Sequence, residues 1–521
     1  MKHFKINKII VIILLILILF QAGQLFLWIK EDKAPPAWDQ SWHSLISVDR
    51  YNQLFQKDSS YGTKQLEKSY PIFGFARNYY PPFFHYTSTF SYLLFGVNYD
   101  AALFTNIFYI IIMVISCYAI GKKLDTSSTG VLLAFIIVVL PVYSLLSRDY
   151  LIDYALASMV ALGYCLLLYS DNFQKMGYSI AFGIIFGLGM LTKWTYALFL
   201  FVPLLFSLYQ LTAATIKTKN YQRIISAGSA FLCAAIIMLL WYTPLRIRTL
   251  FSQLSAFSNL SSGAVPLWSR STDYLFTILN GYTALFFVLF IVATITLLQE
   301  GIRHKKHLGL TISLLLTILF TYGVLSSISN HDTRYIAPIY VFLATITALG
   351  VMHYCRKLSI KKQYILAIVL IIVGAGYNIA YNSPTINVQY TATSIPIINT
   401  MGKYPEINPP IRGEDITEIL SVINRTNTKR SFSVCIIAES PYLNDVNVPY
   451  YSVLGKYNVS VMFGNGCDPR TFDFAIVGEI QKTWRSNTFE SSKRVLESNI
   501  RNFREIYQSK EISVYQNMIH R

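Results

Sequence analysis

Charge is scarce in this sequence. Asp, Glu, Lys and Arg make up 14% of its 521 residues while 53% are hydrophobic, and a soluble globular chain carries about a quarter charged residues. An ordinary soluble protein is therefore excluded. Among the six cysteines there is no Cys-x-x-Cys spacing, and no histidine stands at zinc-finger distance from them, which argues against a thiolate metal centre. No small-residue cleavage site follows the first apolar run, Ile9 to Ile29. At about 20 residues that run crosses a hydrocarbon core of roughly 30 Å, so it reads as a retained span and not as a signal peptide. There is no evident repeat between the two halves of the chain, as many transporters have. The polar tail carries neither a Gly-rich phosphate loop nor a nucleophile–base motif.

What is present is a succession of apolar runs. After Ile9–Ile29, further spans are predicted at roughly 101–120, 129–146, 151–170, 176–192, 195–213, 224–243, 274–298, 309–327, 335–352 and 363–381, about eleven in all. Residues 30–100 form a long first outer loop, in which the 13-residue stretch ending at Phe95 is too short to span and reads as an interfacial or re-entrant helix. With a cytoplasmic N-terminus, the inner segments hold sixteen basic residues, among them Lys2, Lys122, Lys219, Arg303 and Lys361, against Asp125, Asp171 and Glu300. The net charge of +17 is thus mostly a positive-inside signal and requires no nucleic acid.

An odd number of spans places the tail outside. The fold class is a polytopic α-helical membrane protein at 1–381 with a C-terminal α/β extracytoplasmic domain at 382–521, set in a plasma (inner) membrane. Strands are predicted at Phe432–Ala438, Val459–Phe463 and Phe472–Val477, with helices around Val448–Tyr457 and 490–503 and two short strands before the end. This tail is expected to fold separately and to carry no catalysis. Cys435 and Cys467 lie in it and either pair, in an oxidising compartment, or remain thiols.

The predicted outer side collects ionisable groups. Asp39, in Pro35-Pro36-Ala37-Trp38-Asp39-Gln40-Ser41-Trp42-His43, is either a solvated loop charge or a catalytic base. His43 is either a site residue or a helix-face histidine packed against Trp38. Tyr80 and His85 flank Pro81-Pro82 at the close of the first loop, and Arg148 and Asp149 follow the third span. Each of these can simply reach water from a helix end. Asp153 and Lys193 stand at or inside apolar stretches, where a charge usually faces a partner or a wet cavity.

The set Pro-Pro-x-Trp-Asp-x-x-x-His, the Pro-Pro-aromatic segment, Ser147-Arg148-x-x-x-x-Asp153, the run Gly187-Leu188-Gly189-Met190-Leu191-Thr192-Lys193-Trp194, and Arg334-Tyr335-x-x-Pro338 resembles the family 39 type of C-superfamily (GT-C) glycosyltransferase, which includes protein O-mannosyltransferases and the lipid A aminoarabinose transferase. The resemblance covers about residues 1–381. It implies inverting transfer of a sugar from a polyprenyl-phosphate donor to a protein, lipid or glycan acceptor at the outer face of the bilayer. It further implies Asp39 as the base, with Asp149 and Asp153 as further acids, and Arg148, Lys193 and Arg334 as phosphate contacts. His43, Tyr80, His85 and Tyr335 are the remaining substrate-binding candidates. Many relatives have a second carboxylate where this chain has Gln40, so metal ligation by such a pair is not expected, and no cofactor is. A transporter or flippase of a lipid-linked saccharide, and a catalytically silent relative, are the alternatives. A cysteine introduced at Asn487 is expected to label from outside intact cells and one at Lys305 is not; the reverse result overturns the orientation.

Overall fold

Backbone inside hydrocarbon must satisfy its own hydrogen bonds, so each apolar run is expected to be helical. The computed structural model describes residues 8–56, 77, 79–219, 221–248, 251, 267–304, 308–328, 332–382, 406–427, 429, 431–461, 467–481 and 486–519. Eight helices among them are long and apolar enough to cross a membrane: Lys8–Glu31, Tyr99–Leu124, Ile152–Tyr169, Tyr196–Thr218, Gln222–Leu239, Ala284–Arg303, Leu308–Ser327 and Ile360–Ala380. Two of the expected spans, at 176–192 and 335–352, are the shorter helices Met176–Met190 and Ile339–Cys355.

Two other expected spans differ in form. The 129–146 run is a pair of helices, Ser127–Val139 and Pro141–Ser147, bent by 61°. Pro141 has no N–H to donate and stands at the start of the second helix, which explains the break. The 274–298 run is divided at Thr283, whose φ of 64° interrupts the helical ladder; Leu267–Tyr282 ends before it and Ala284–His304 begins after it.

By contacts the chain falls into two units. The first takes its residues from Met1–Leu27, Asn106–Arg148 and Ile152–Tyr404, and the second from Trp28–Thr105, Asp149–Leu151 and Pro405–Arg521. In the first unit, the Met176–Met190 and Gln222–Leu239 helices approach so closely that a Cβ on Gly183 would meet the Ala230 carbonyl oxygen at 2.1 Å. Small residues at such a crossing replace the hydrophobic drive that lipid cannot supply.

The second unit contains a helix inside the expected loop, Asp39–Phe55, with its middle buried from His43 to Arg50. It packs against the Phe83–Phe95 helix, which matches the expected 13-residue stretch, and against Asn447–Leu454 of the tail. The tail's five-stranded sheet has the order β2-β1-β3-β5-β4, with β1 Phe432–Glu439, β2 Val459–Val461, β3 Phe474–Ile480, β4 Phe503–Gln508 and β5 Ser513–Asn517. β1 pairs in parallel with β2 and β3, while β5 runs antiparallel to β3 and β4. Cys435 on β1 is disulfide-bonded to Cys467, and Ile437, Phe472, Ala475 and Leu496 complete that core.

The tail is not a free-standing addition. The Lys33 amide donates to the Glu406 carbonyl at 2.9 Å, and the Glu406 amide donates to Asp32 Oδ1 at 2.8 Å. These bonds and the Asn447–Leu454 helix join it to the first loop. A chain ended after Tyr390 is expected to lose the order of the first loop, read as faster proteolysis within 28–105. Protection equal to that of the full chain overturns the shared unit.

Candidate functional site

In the first unit the site is built around Asp153, in the first turn of Ile152–Tyr169 and 1% exposed. A carboxylate is favoured there by the helix N-terminus. Its Oδ1 accepts from Lys193 Nζ at 2.7 Å, and its Oδ2 lies 3.6 Å from Arg334 Nε. Lys193 owes its place to the glycine-rich run before it. A Cβ on Gly189 would strike the Tyr196 ring at 2.4 Å, so only glycine lets that ring close the turn. Within this turn the Lys193 amide donates to the Gly189 carbonyl at 3.1 Å and the Tyr196 amide to the Lys193 carbonyl at 3.0 Å.

Arg334 lies in a 3₁₀ turn, Thr333–Ile336, capped by Asp332. The Arg334 amide donates to Asp332 Oδ1 at 3.1 Å, and its guanidinium lies 3.0 Å from Asp332 Oδ2. Tyr335 lies under both cations, with Lys193 Nζ 4.3 Å from its ring centroid and Arg334 Cζ 5.7 Å away. Arg148, 4% exposed, caps the C-terminus of Pro141–Ser147, where a cation is favoured. Lys193 and Arg334 thus have two acids between them, Asp153 and Asp332.

In the second unit Asp39 is the first residue of the Asp39–Phe55 helix, preceded by Trp38 at φ 44°, a conformation that L side chains rarely adopt. Next to it, Gln40 Nε2 donates to Asp149 Oδ1 at 2.8 Å, and the Tyr99 hydroxyl donates to Gln40 Oε1. One turn on, His43 Nδ1 and His85 Nε2 share a hydrogen bond of 3.0 Å. The His43 ring meets Tyr80 edge-on at 4.5 Å and stacks with His85 at 5.3 Å. His85 is wholly buried. Burial, then the neighbouring His43 and Arg50, push its protonation well below the ordinary imidazole range. Ser47 and the buried Tyr150 hydroxyl are 2.6 Å apart, and Tyr150 also bonds Ser88.

The expected site residues thus form two groups: Arg148, Asp153, Lys193, Arg334 and Tyr335 in the first unit, and Asp39, His43, Tyr80, His85 and Asp149 in the second. Among the described residues, no three His, Cys, Asp or Glu side chains are grouped to hold a metal ion. Sequence reasoning took Gln40 only as a missing acid, and it missed Tyr99 and Asp332. For Asp332 a signal existed: an Asp two residues before Arg334 is a typical cap of a short turn. Asp153→Ala is expected to lower unfolding stability in detergent by about 3–5 kcal/mol, the usual effect of leaving buried charge unpaired. Lys193→Ala is expected to cost less, because Arg334 still faces Asp153. The opposite ranking in thermal unfolding overturns the assignment of Asp153 as the centre of this group.

Comparison with known proteins bears on this geometry. Residues 80–243 match the family model of dolichyl-phosphate-mannose-protein mannosyltransferases. The structure resembles that of ArnT from Cupriavidus metallidurans bound to undecaprenyl phosphate, with a TM-score of 0.58 at 13% identity, covering 95% of this chain and 97% of that one. It also resembles the Archaeoglobus fulgidus oligosaccharyltransferase in complex with zinc and sulfate, with a TM-score of 0.60 at 12% identity, covering 97% of this chain and 73% of that one. The archaeal oligosaccharyltransferase AglB from the same organism, in complex with an inhibitory peptide and a dolichol-phosphate, gives a TM-score of 0.58 at 12% identity, covering 90% and 69%. No curated protein matches the sequence. At these identities the structural likeness is one of fold. The family match covers about a third of the chain, and the structural likeness shows a fold similar to that of ArnT and the archaeal oligosaccharyltransferase.

Proposed function

We propose that the protein transfers a sugar from a polyprenyl-phosphate donor to an acceptor hydroxyl on the extracytoplasmic face of a cell membrane, with inversion at the anomeric carbon. The observation that carries this reading is the Lys193–Asp153–Arg334 group in an apolar helical bundle. Ionisable residues are kept in such surroundings for function, and a departing lipid phosphate is the group that most needs cations. Undecaprenyl phosphate and dolichol-phosphate are bound in the solved relatives of the same fold. The disulfide Cys435–Cys467 supports an oxidising, extracytoplasmic setting for the tail.

In this mechanism Asp39 accepts the proton of the acceptor hydroxyl as the sugar's C1–O bond to phosphate breaks and the new glycosidic bond forms. The leaving phosphate keeps the electron pair. Arg148, Lys193 and Arg334 compensate its charge, the arginines as bidentate forks and the lysine as a point charge. Asp153, expected from the sequence to be a catalytic acid, acts instead through the two cations it holds. His43 and His85, almost wholly enclosed, hold the wall that carries Tyr80. The acceptor is a protein, lipid or glycan hydroxyl, and no cofactor enters the scheme.

Asp39→Asn is expected to lower single-turnover transfer from a labelled polyprenyl-phosphate sugar by roughly 10²–10⁴-fold, the usual worth of a general base, while donor binding persists. Parent-like rates in this variant end the assignment of Asp39. Flipping of the labelled lipid without transfer, by the parent protein, replaces the enzyme with a flippase.

A further inference from the structure

We propose that Gln40 is a positioning residue that holds Asp149 as the second carboxylate of the site, as the middle member of a Tyr99–Gln40–Asp149 hydrogen-bonded chain. The proposal rests on the glycosyl-transfer reading above and adds a residue and a role to it. All three side chains belong to the unit that contains Asp39, and they come from three places in the chain: the start of Asp39–Phe55, the start of Tyr99–Leu124, and the segment after Pro141–Ser147.

The chemistry of an amide gives this chain a direction. A carboxylate only accepts, so the end of Gln40 that meets Asp149 is the nitrogen, at 2.8 Å. That leaves Oε1 to accept the Tyr99 hydroxyl hydrogen. Each bond polarises the next in the same sense, from the phenol through the amide to the carboxylate. A glutamate at position 40 would set oxygen against oxygen and would need a shared proton or a cation between the two groups. The amide makes the same junction with neither.

The backbone around Gln40 is fixed as well. Its amide donates to the Ala37 carbonyl at 2.9 Å, and its own carbonyl accepts from Ser44 Oγ at 2.7 Å. Ser41 Oγ donates to the Pro36 carbonyl at 2.6 Å, closing the turn that carries Asp39. Gln40 therefore connects Asp149 to the helix start on which Asp39 stands. A misplacement of about 1 Å in a reacting group costs on the order of 10²-fold in rate.

The test is a kinetic cycle on the full-length protein in nanodiscs, with single-turnover transfer from a labelled polyprenyl-phosphate sugar. Gln40→Met is expected to lower the maximal transfer rate about 10–100-fold with the donor concentration for half-maximal rate unchanged, an effect on placement and not on binding. In an Asp149→Asn background the same change is expected to cost nothing more, because the carboxylate it serves is gone. Gln40→Glu is expected to fall below Gln40→Met. The pair Gln40→Glu with Asp149→Asn is expected to regain the thermal unfolding midpoint of the parent, because an asparagine amide can donate to the new carboxylate; this variant keeps the test valid if Gln40→Met folds poorly. An active parent with a parent-like Gln40→Met overturns the proposal alone, as do losses that multiply in the double variant. A parent that transfers no sugar overturns the function and the proposal together.

Discussion

Asp153 lies 2.7 Å from Lys193 Nζ and 3.6 Å from the Arg334 guanidinium, in a bundle where a lone charge would carry a desolvation penalty of several kcal/mol. Much else follows from that constraint. The pairing draws together the start of Ile152–Tyr169, the turn after Met176–Met190 and the 3₁₀ turn before Ile339–Cys355. Each of those places is shaped for it: Gly189 admits the Tyr196 ring, and Asp332 caps the turn of Arg334. Counter-ions already in place keep Lys193 and Arg334 fixed, so these two cations form an ordered pair and not two wandering side chains.

The second group works on a different principle. Around Asp39 few formal charges are paired at close range in the contacts described, and orientation comes from neutral groups: an amide, a phenol, two imidazoles and several hydroxyls. Such a polar network is stable only when its members are satisfied together, which makes its geometry specific but leaves little slack for substitution. The group in the first unit is thus organised by ion pairing and the group in the second by directional hydrogen bonds.

The sequence made the apolar spans legible because hydrocarbon leaves the backbone little choice. It also made the tail legible, since the short apolar runs rich in Val, Ile and Phe at 432–439 and 474–480 read as buried strands of a small sheet. The glycines before Lys193 carried a readable signal. What stayed hidden depended on distant partners. The polar run Asp39–Phe55 is buried by residues from Phe83–Phe95 and from the tail's Asn447–Leu454, and no local pattern announces that. Gln40 gains its meaning from Asp149, 109 positions away, and Tyr99, 59 positions away. The break at Thr283 follows Asn280-Gly281, a local turn signal that an averaged hydropathy passes over.

Because the first loop shares a unit with the tail, the chain is made in an order at odds with its packing. Residues 28–105 leave the ribosome about 300 residues before 405–521, which at roughly 5–20 residues per second is an interval of about 15–60 s. Throughout that interval the faces of Asp39–Phe55 that later meet the tail have no partner to cover them, and Cys435 has yet to find Cys467. Biogenesis therefore has to shelter the first segment of this unit until the last one arrives, and the turn at Asp39 takes its final form only as the C-terminal residues join it. For this protein, completion of synthesis and assembly of the unit that holds Asp39 are the same event.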